Sequence, residues 1–207
     1  MNDDRLAFET ERLIIRPVIK EDRKLYVELY TNKETMRYIG EPFTADNASR
    51  AFENTVKAMR SSIETGKRAV MTWVVNCKSS NDALGIIALN WQTGQRYEPD
   101  KCSFHKEVGP EIGIMLAPNA RGIKIASAAM SCLLDFAFNR LQEPYVQTAY
   151  CRSNIAMDKL ANNLGFSNSS CAKSKLVRKC ITKVAFCNKS KEVTLTRIMR
   201  GALWREV

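Results

Sequence analysis

Apolar positions repeat with two periods along this chain, and the switches between them lay out the elements. Residues 12–18 read as a first strand, and 20–30 carry Leu25 and Leu29 on one helical face. Thr44 opens a longer helix, about 45–64, with Ala48, Phe52, Val56 and Met59 at helical spacing and Gly66 as its stop. Residues 69–77 and 84–91 are rich in strand formers, and Asn81-Asp82 between them predicts a hairpin. A polar stretch, 92–110, is long for a connection. Strand 111–117, a helix within 120–141, strand 146–151 and helix 155–164 follow. Ser153-Asn154 caps the last helix and Leu164-Gly165-Phe166 closes it. The remainder alternates as strands over about 176–187 and 192–200. This order predicts one domain over 1–207 of mixed α/β class, with helices on both faces of a largely antiparallel sheet.

Residues 109–126 are the most informative segment. The run Ile112 to Leu116 reads as a buried strand, stopped by Pro118-Asn119. A tight turn at Arg121-Gly122 leads into a helix from Ala126. The first N–H groups of a helix have no partner within it, and the helix dipole favours negative charge there. The segment therefore predicts a phosphate-bearing ligand held by backbone amides.

Composition narrows the setting. An apolar fraction of 45% and a charged fraction of 26% are ordinary for a globular chain. No apolar run approaches a membrane span, and the acidic start Met1-Asn2-Asp3-Asp4 argues against a signal peptide. A cytoplasmic protein with no membrane contact is expected. Seven scattered cysteines, none spaced C-x-x-C, and the single histidine His105 argue for free thiols and against a metal site. The net charge of +10 is uneven. Residues 167–207 hold 10 basic and 2 acidic residues, against 22 and 20 before them. The basic tail is either a solvated surface or an attraction for RNA, the ribosome or an acidic substrate. Few aromatics interleave it, so base stacking is not indicated.

Five segments, in order, resemble the GNAT superfamily of acetyl-CoA-dependent N-acyltransferases. Within it they resemble the ribosomal-protein N-terminal acetyltransferase group, the RimJ/RimL-like branch. They are Thr10-Glu-Arg-Leu-Ile-Ile-Arg-Pro17 with Asp22, Met36-Arg-Tyr-Ile-Gly40, and Glu111-Ile-Gly-Ile-Met-Leu-Ala-Pro118. The fourth is Asn154 followed by Leu164-Gly-Phe166, and the fifth runs from Val193 to Trp204. The likeness spans about residues 8–204. It implies a GNAT fold, with a split sheet of about seven strands and acetyl-CoA wedged between strands 111–117 and 146–151. It implies pantetheine pairing with the backbone of Ile114, Met115 and Leu116 and with the Asn154 side chain. It places the pyrophosphate on the loop from Arg121 through Gly122, Ile123, Lys124, Ile125 and Ala126 to Ser127. No metal is implied.

Two positions depart from the family pattern. The loop pattern Q/R-x-x-G-x-G/A reads here Arg121-Gly122-Ile123-Lys124-Ile125-Ala126, with Lys124 at its central glycine. A Lys there either points outward and leaves the amides usable, supplies a cation to a phosphate, or closes the cradle. Met157 stands where the RimJ/RimL-like group carries Ser, and Leu160 where other members carry Tyr, and neither donates a proton. A thiol leaves with a pKa of about 8.5, so transfer does not require that donor.

Attack on a thioester needs a neutral amine, so a base is expected. Glu111, at the mouth of the central strand, is the candidate; Tyr150 faces the implied cleft, and Asn90 and His105 are further polar candidates. Cys151 also lies near, but the family transfers directly and no His base accompanies it. The expected activity is direct acetyl transfer to a primary amine, on a protein N-terminus or a small molecule, by a monomer or homodimer. The alternative is a catalytically degenerate GNAT-fold module that docks on RNA or the ribosome through its basic C-terminal region. Acceptor pockets in the family correspond here to residues 25–45 and 92–110, and neither segment carries a motif tied to one amine.

Overall fold

The fold was analysed in a computed structural model, which describes residues 6–91, 109–122, 124–168 and 175–190. The expected strand 192–200 and His105 lie outside these residues. One mixed sheet contains eight strands: β1 (Phe8–Glu9), β2 (Leu13–Pro17), β3 (Val70–Cys77), β4 (Ala83–Asn90), β5 (Glu111–Leu116), β6 (Tyr145–Cys151), β7 (Ser167–Asn168) and β8 (Leu176–Thr182). Their spatial order is β1-β2-β3-β4-β5-β6-β8-β7, antiparallel throughout except for β5 beside β6. Two of the eight are two-residue strands, too short to register as a periodic pattern.

The helices are α1 (Arg23–Thr31), α2 (Lys33–Met36), α3 (Ala45–Thr65), α4 (Ile125–Asn139) and α5 (Ile155–Leu164), with α6 over residues 183–190. Helix α3 begins and ends where its sequence signals stand. Thr44 Oγ1 accepts the Asn47 N–H at 3.2 Å, and Gly66 takes φ of 68° as the left-handed stop. Gly165, at φ of 93°, closes α5 in the same way. The expected helix over 20–30 is instead a 3-10 turn at Lys20–Asp22 followed by α1. Asp22 forces that break: its carboxylate accepts from the Ile19 N–H at 2.8 Å and from both terminal guanidinium nitrogens of Arg16, at 2.7 and 2.8 Å.

Strand β3 is buried at six consecutive positions, so the sheet is covered on both faces. Trp73, Ile87 and Ile114 are register partners and share one face. Trp73 meets Phe136 of α4 edge-on at 5.8 Å, which identifies that face as the α4 side. On the other face α3 lies over β3 and α1 over β4 and α3, with Tyr26 against Phe52 at 5.3 Å. Among the described residues no helix is long and apolar enough to cross a membrane.

One expected element is corrected. Strand 176–187 ends at Thr182, and residues 183–190 are helical. Thr182 Oγ1 accepts the Ala185 N–H at 3.3 Å, a hydroxyl cap. The helical turn buries Phe186 against Phe138 of α4 at 5.5 Å and leaves Val184 outside.

Candidate functional site

Strands β5 and β6 share a single register pair, Glu111 with Gln147. The Gln147 N–H donates to Pro110 C=O at 2.9 Å, and the next link is made by a side chain, with Thr148 Oγ1 donating to Ile112 C=O at 3.1 Å. Beyond that buried hydroxyl the strands diverge. Backbone polar groups alternate along a strand, so Ile114 and Leu116 face the same side as Ile112 and look into the divergence. Met115 faces the other way, with its carbonyl against Gly85 of β4. A side chain at Gly113 would meet nothing within 4 Å, so the sheet face above this residue is open.

The divergence ends at the head of α4. A 3-10 turn, Pro118–Ala120, leads to Arg121 and to Gly122 at φ of 80°. Ile123 lies outside the described residues. Lys124 is the N-cap, in the left-handed region at φ of 63° and ψ of 14°. Its carbonyl accepts the Ala128 N–H at 3.1 Å, so the N–H groups of Ile125, Ala126 and Ser127 have no acceptor within the helix. No side chain caps this end, and its first turn carries no acidic residue. The cradle is thus free of internal anions, as an external one requires.

Arg121 does not point into that cradle. Its Nη1 pairs with Glu34 at 2.7 Å, Nη2 donates to Thr35 Oγ1 at 3.0 Å, and Nε and Nη2 reach the Leu116 carbonyl at 3.3 Å. The side chain ties the loop to α2 and to the end of β5. Sequence reasoning had no means of finding this brace, because its partners on α2 are more than 80 residues away.

Glu111 sits at the closed end of the divergence, half-buried between Asn90 of β4 and Gln147 of β6. Burial raises its pKa above the ordinary carboxylate range, and the charge of Arg178 partly opposes the rise. Glu111 and Gly113 lie on the sheet face that carries α3 over β3 and α1 over β4, and at Gly113 that face is exposed.

Tyr150 is buried, and its hydroxyl donates to Asp158 of α5 at 2.7 Å. Asp158 also pairs with Lys179 at 3.0 Å and accepts from Asn162 at 3.0 Å, and Lys179 donates to Asn162. Burial and the Asp158 charge push the phenol pKa up, while the hydrogen bonds from Tyr150 and Lys179 hold Asp158 below the ordinary range. The Tyr150 proton is thus directed into α5. Lys179 is only 4% exposed, so this member of the basic C-terminal run adds nothing to the surface field. Asn154 caps α5, its Oδ1 accepting the Met157 N–H at 3.1 Å.

A cavity of about 570 Å³ lies between α1 and the strand ends, lined by Leu25, Glu28, Leu29, Asn32, Ala83 and Pro118. It adjoins the loop end of β5, opposite Glu111. Among the described residues no group of three His, Cys, Asp or Glu side chains is placed to hold a metal ion.

The model of the acetyltransferase (GNAT) domain family matches residues 12–167. Among curated proteins no match is found. Solved structures share the fold at low identity. An acetyltransferase from Agrobacterium tumefaciens is 17% identical, with a TM-score of 0.65 over 86% of this chain and 94% of that one. Spermidine N-acetyltransferase from Vibrio cholerae, solved with CoA and spermine, is 17% identical, with a TM-score of 0.64 over 86% and 99%. A nucleotide-linked sugar GNAT in its apo form is 12% identical, with a TM-score of 0.68 over 91% and 96%. The family match spans both the divergence of β5 from β6 and the loop at the head of α4, and the chain belongs to the GNAT acetyltransferase family.

Proposed function

We propose that this acyltransferase moves an acetyl group from acetyl-CoA directly to a primary amine, on a protein N-terminus or a small molecule. The observation that carries the reading is the edge of β5 left unpaired with β6 at Ile114 and Leu116, which runs into an uncapped helix N-terminus. The donor set fits the cofactor: exposed backbone amides for an amide-bearing arm, and a left-handed turn with free N–H groups for a diphosphate. Bound acetyl-CoA supplies an activated acyl thioester. Ile114 and Leu116 would hold the arm through their backbone, and the loop Arg121 to Ser127 would receive the diphosphate. Asn154 sets the start of α5 beside the arm. From Leu116 back to Glu111 the strand spans about 17 Å, at about 3.3 Å per residue. Glu111 would therefore lie at the acyl end of an extended thioester held at the α4 end.

Glu111 takes the proton that the acceptor's ammonium must lose to become the attacking amine, directly or through a water. Its raised pKa makes it a stronger base than a solvated carboxylate. Tyr150 serves as a positioning residue, its hydroxyl locking α5 onto β6 through Asp158. The fold alone does not select the acceptor, since structures of this shape are described as acting on spermidine and on nucleotide-linked sugars.

The test is release of free CoA thiol with a panel of amines and amino-terminal peptides. Amine-dependent release is expected. Glu111→Gln lowers kcat/KM by about 100-fold, the lower end of general-base effects. In the wild type kcat/KM falls as the pH drops through the raised Glu111 pKa, because protonation removes the base. The variant lacks this acidic limb. No release with any amine overturns the assignment, and a Glu111→Gln profile that keeps the limb moves the base elsewhere.

A further inference from the structure

Lys124 is placed badly in every respect that does not involve an anion. Its φ of 63° is a backbone state that glycine adopts freely and that lysine disfavours. Its ammonium is carried at the N-terminus of a 15-residue helix, where the dipole repels positive charge. No carboxylate of that first turn offsets it, and no ion pair of the described residues engages it. The other cation of the loop, Arg121, is committed to Glu34, Thr35 and the Leu116 carbonyl. A negative ligand on the cradle would turn the repulsion into attraction, with the helix amides and the ammonium acting on the same charge.

We propose that Lys124 is a specificity-determining ligand for the cofactor's diphosphate. Its backbone takes the conformation of the glycine it replaces and keeps the cradle open, and its side chain adds the charge that Arg121, held as a brace, does not provide. This inference rests on the acetyl-CoA reading above. It adds that the side chain itself recognises phosphate, which a glycine at this position cannot do.

The test is calorimetric titration of wild type, Lys124→Asn and Lys124→Arg with CoA, dephospho-CoA and pantetheine. Asparagine tolerates the left-handed backbone, so it removes the charge while preserving the turn. Thermal unfolding of each variant confirms that the fold is intact. The expected result is a loss of about tenfold in affinity for both CoA and dephospho-CoA in Lys124→Asn, the effect of about one charge-assisted hydrogen bond. Lys124→Arg restores most of that loss, pantetheine binding is unchanged, and the salt dependence of CoA binding shrinks in the asparagine variant. Equal or tighter CoA binding by Lys124→Asn overturns the inference. A loss confined to CoA overturns the diphosphate assignment, because dephospho-CoA lacks only the ribose phosphate. Absence of CoA binding by the wild type removes the acetyl-CoA reading itself, and this inference with it.

Discussion

Gly85→Val is expected to yield no folded protein. A Cβ at Gly85 would stand 2.2 Å from the Met115 carbonyl oxygen, 2.8 Å from Leu116 Cδ2 and 2.9 Å from Leu116 Cα. Two of these three atoms belong to the backbone of β5, so no rotamer change relieves the clash. Strands β4 and β5 would have to separate along their six paired residues, which form the seam beside the cofactor edge. The cost exceeds about 4 kcal/mol, a large share of the total stability of about 5–15 kcal/mol typical of a domain. Soluble yield and the denaturant midpoint report it. Gly113→Ala supplies the contrast. It is on the next strand, yet its Cβ would meet nothing within 4 Å. That variant folds with a nearly unchanged midpoint. A wild-type-like midpoint for Gly85→Val would contradict the close packing of β4 on β5.

The second large effect is Asp22→Ala. Asp22 is 7% exposed and holds three donors at once, both terminal nitrogens of Arg16 and the Ile19 N–H. Its hydrogen bonds with Arg16 raise the pKa of an already permanent cation. Truncation strands the Arg16 guanidinium and a backbone N–H, and it removes the break that aims α1 over β4. Breaking a buried pair costs about 3–5 kcal/mol. Arg16 keeps some access to water, which puts the expectation near about 3 kcal/mol. Asp22→Asn recovers part of this, because its carbonyl still accepts the Ile19 N–H. Urea denaturation of the three proteins gives the ranking wild type, Asp22→Asn, Asp22→Ala, and equal midpoints would show that the pair carries no net stability.

Local chemistry made much of the fold legible. The Asn81-Asp82 turn, the Thr44 and Gly66 caps of α3 and the Gly165 stop of α5 each act within a few residues, so a single chain displays them. The head of α4 was visible for the same reason: a strand, a turn and a helix stand in sequence at 111–139. What was not legible is non-local. The divergence of β5 from β6 starts past Thr148, whose hydroxyl reaches a carbonyl 36 residues earlier. Lys179 looked like part of a solvated basic run, yet it is buried because Asp158 and Asn162 of α5 face it. Residues 183–190 carry apolar side chains that satisfy either period, and only the space beside Phe138 selects the helix. Lys124 was visible as a residue out of place, but its left-handed backbone, which keeps the turn of a glycine, was not.

Hydrogen–deuterium exchange with and without acetyl-CoA tests the central claim most directly, because it reads the backbone groups on which the claim depends. Acetyl-CoA is expected to slow exchange at Ile114 and Leu116, which face the divergence, and at Ile125, Ala126 and Ser127 at the head of α4. Met115, already turned toward β4, should change little. Protection confined to other elements, or no change at saturating acetyl-CoA, would contradict the assignment of this strand edge and helix terminus as the cofactor site.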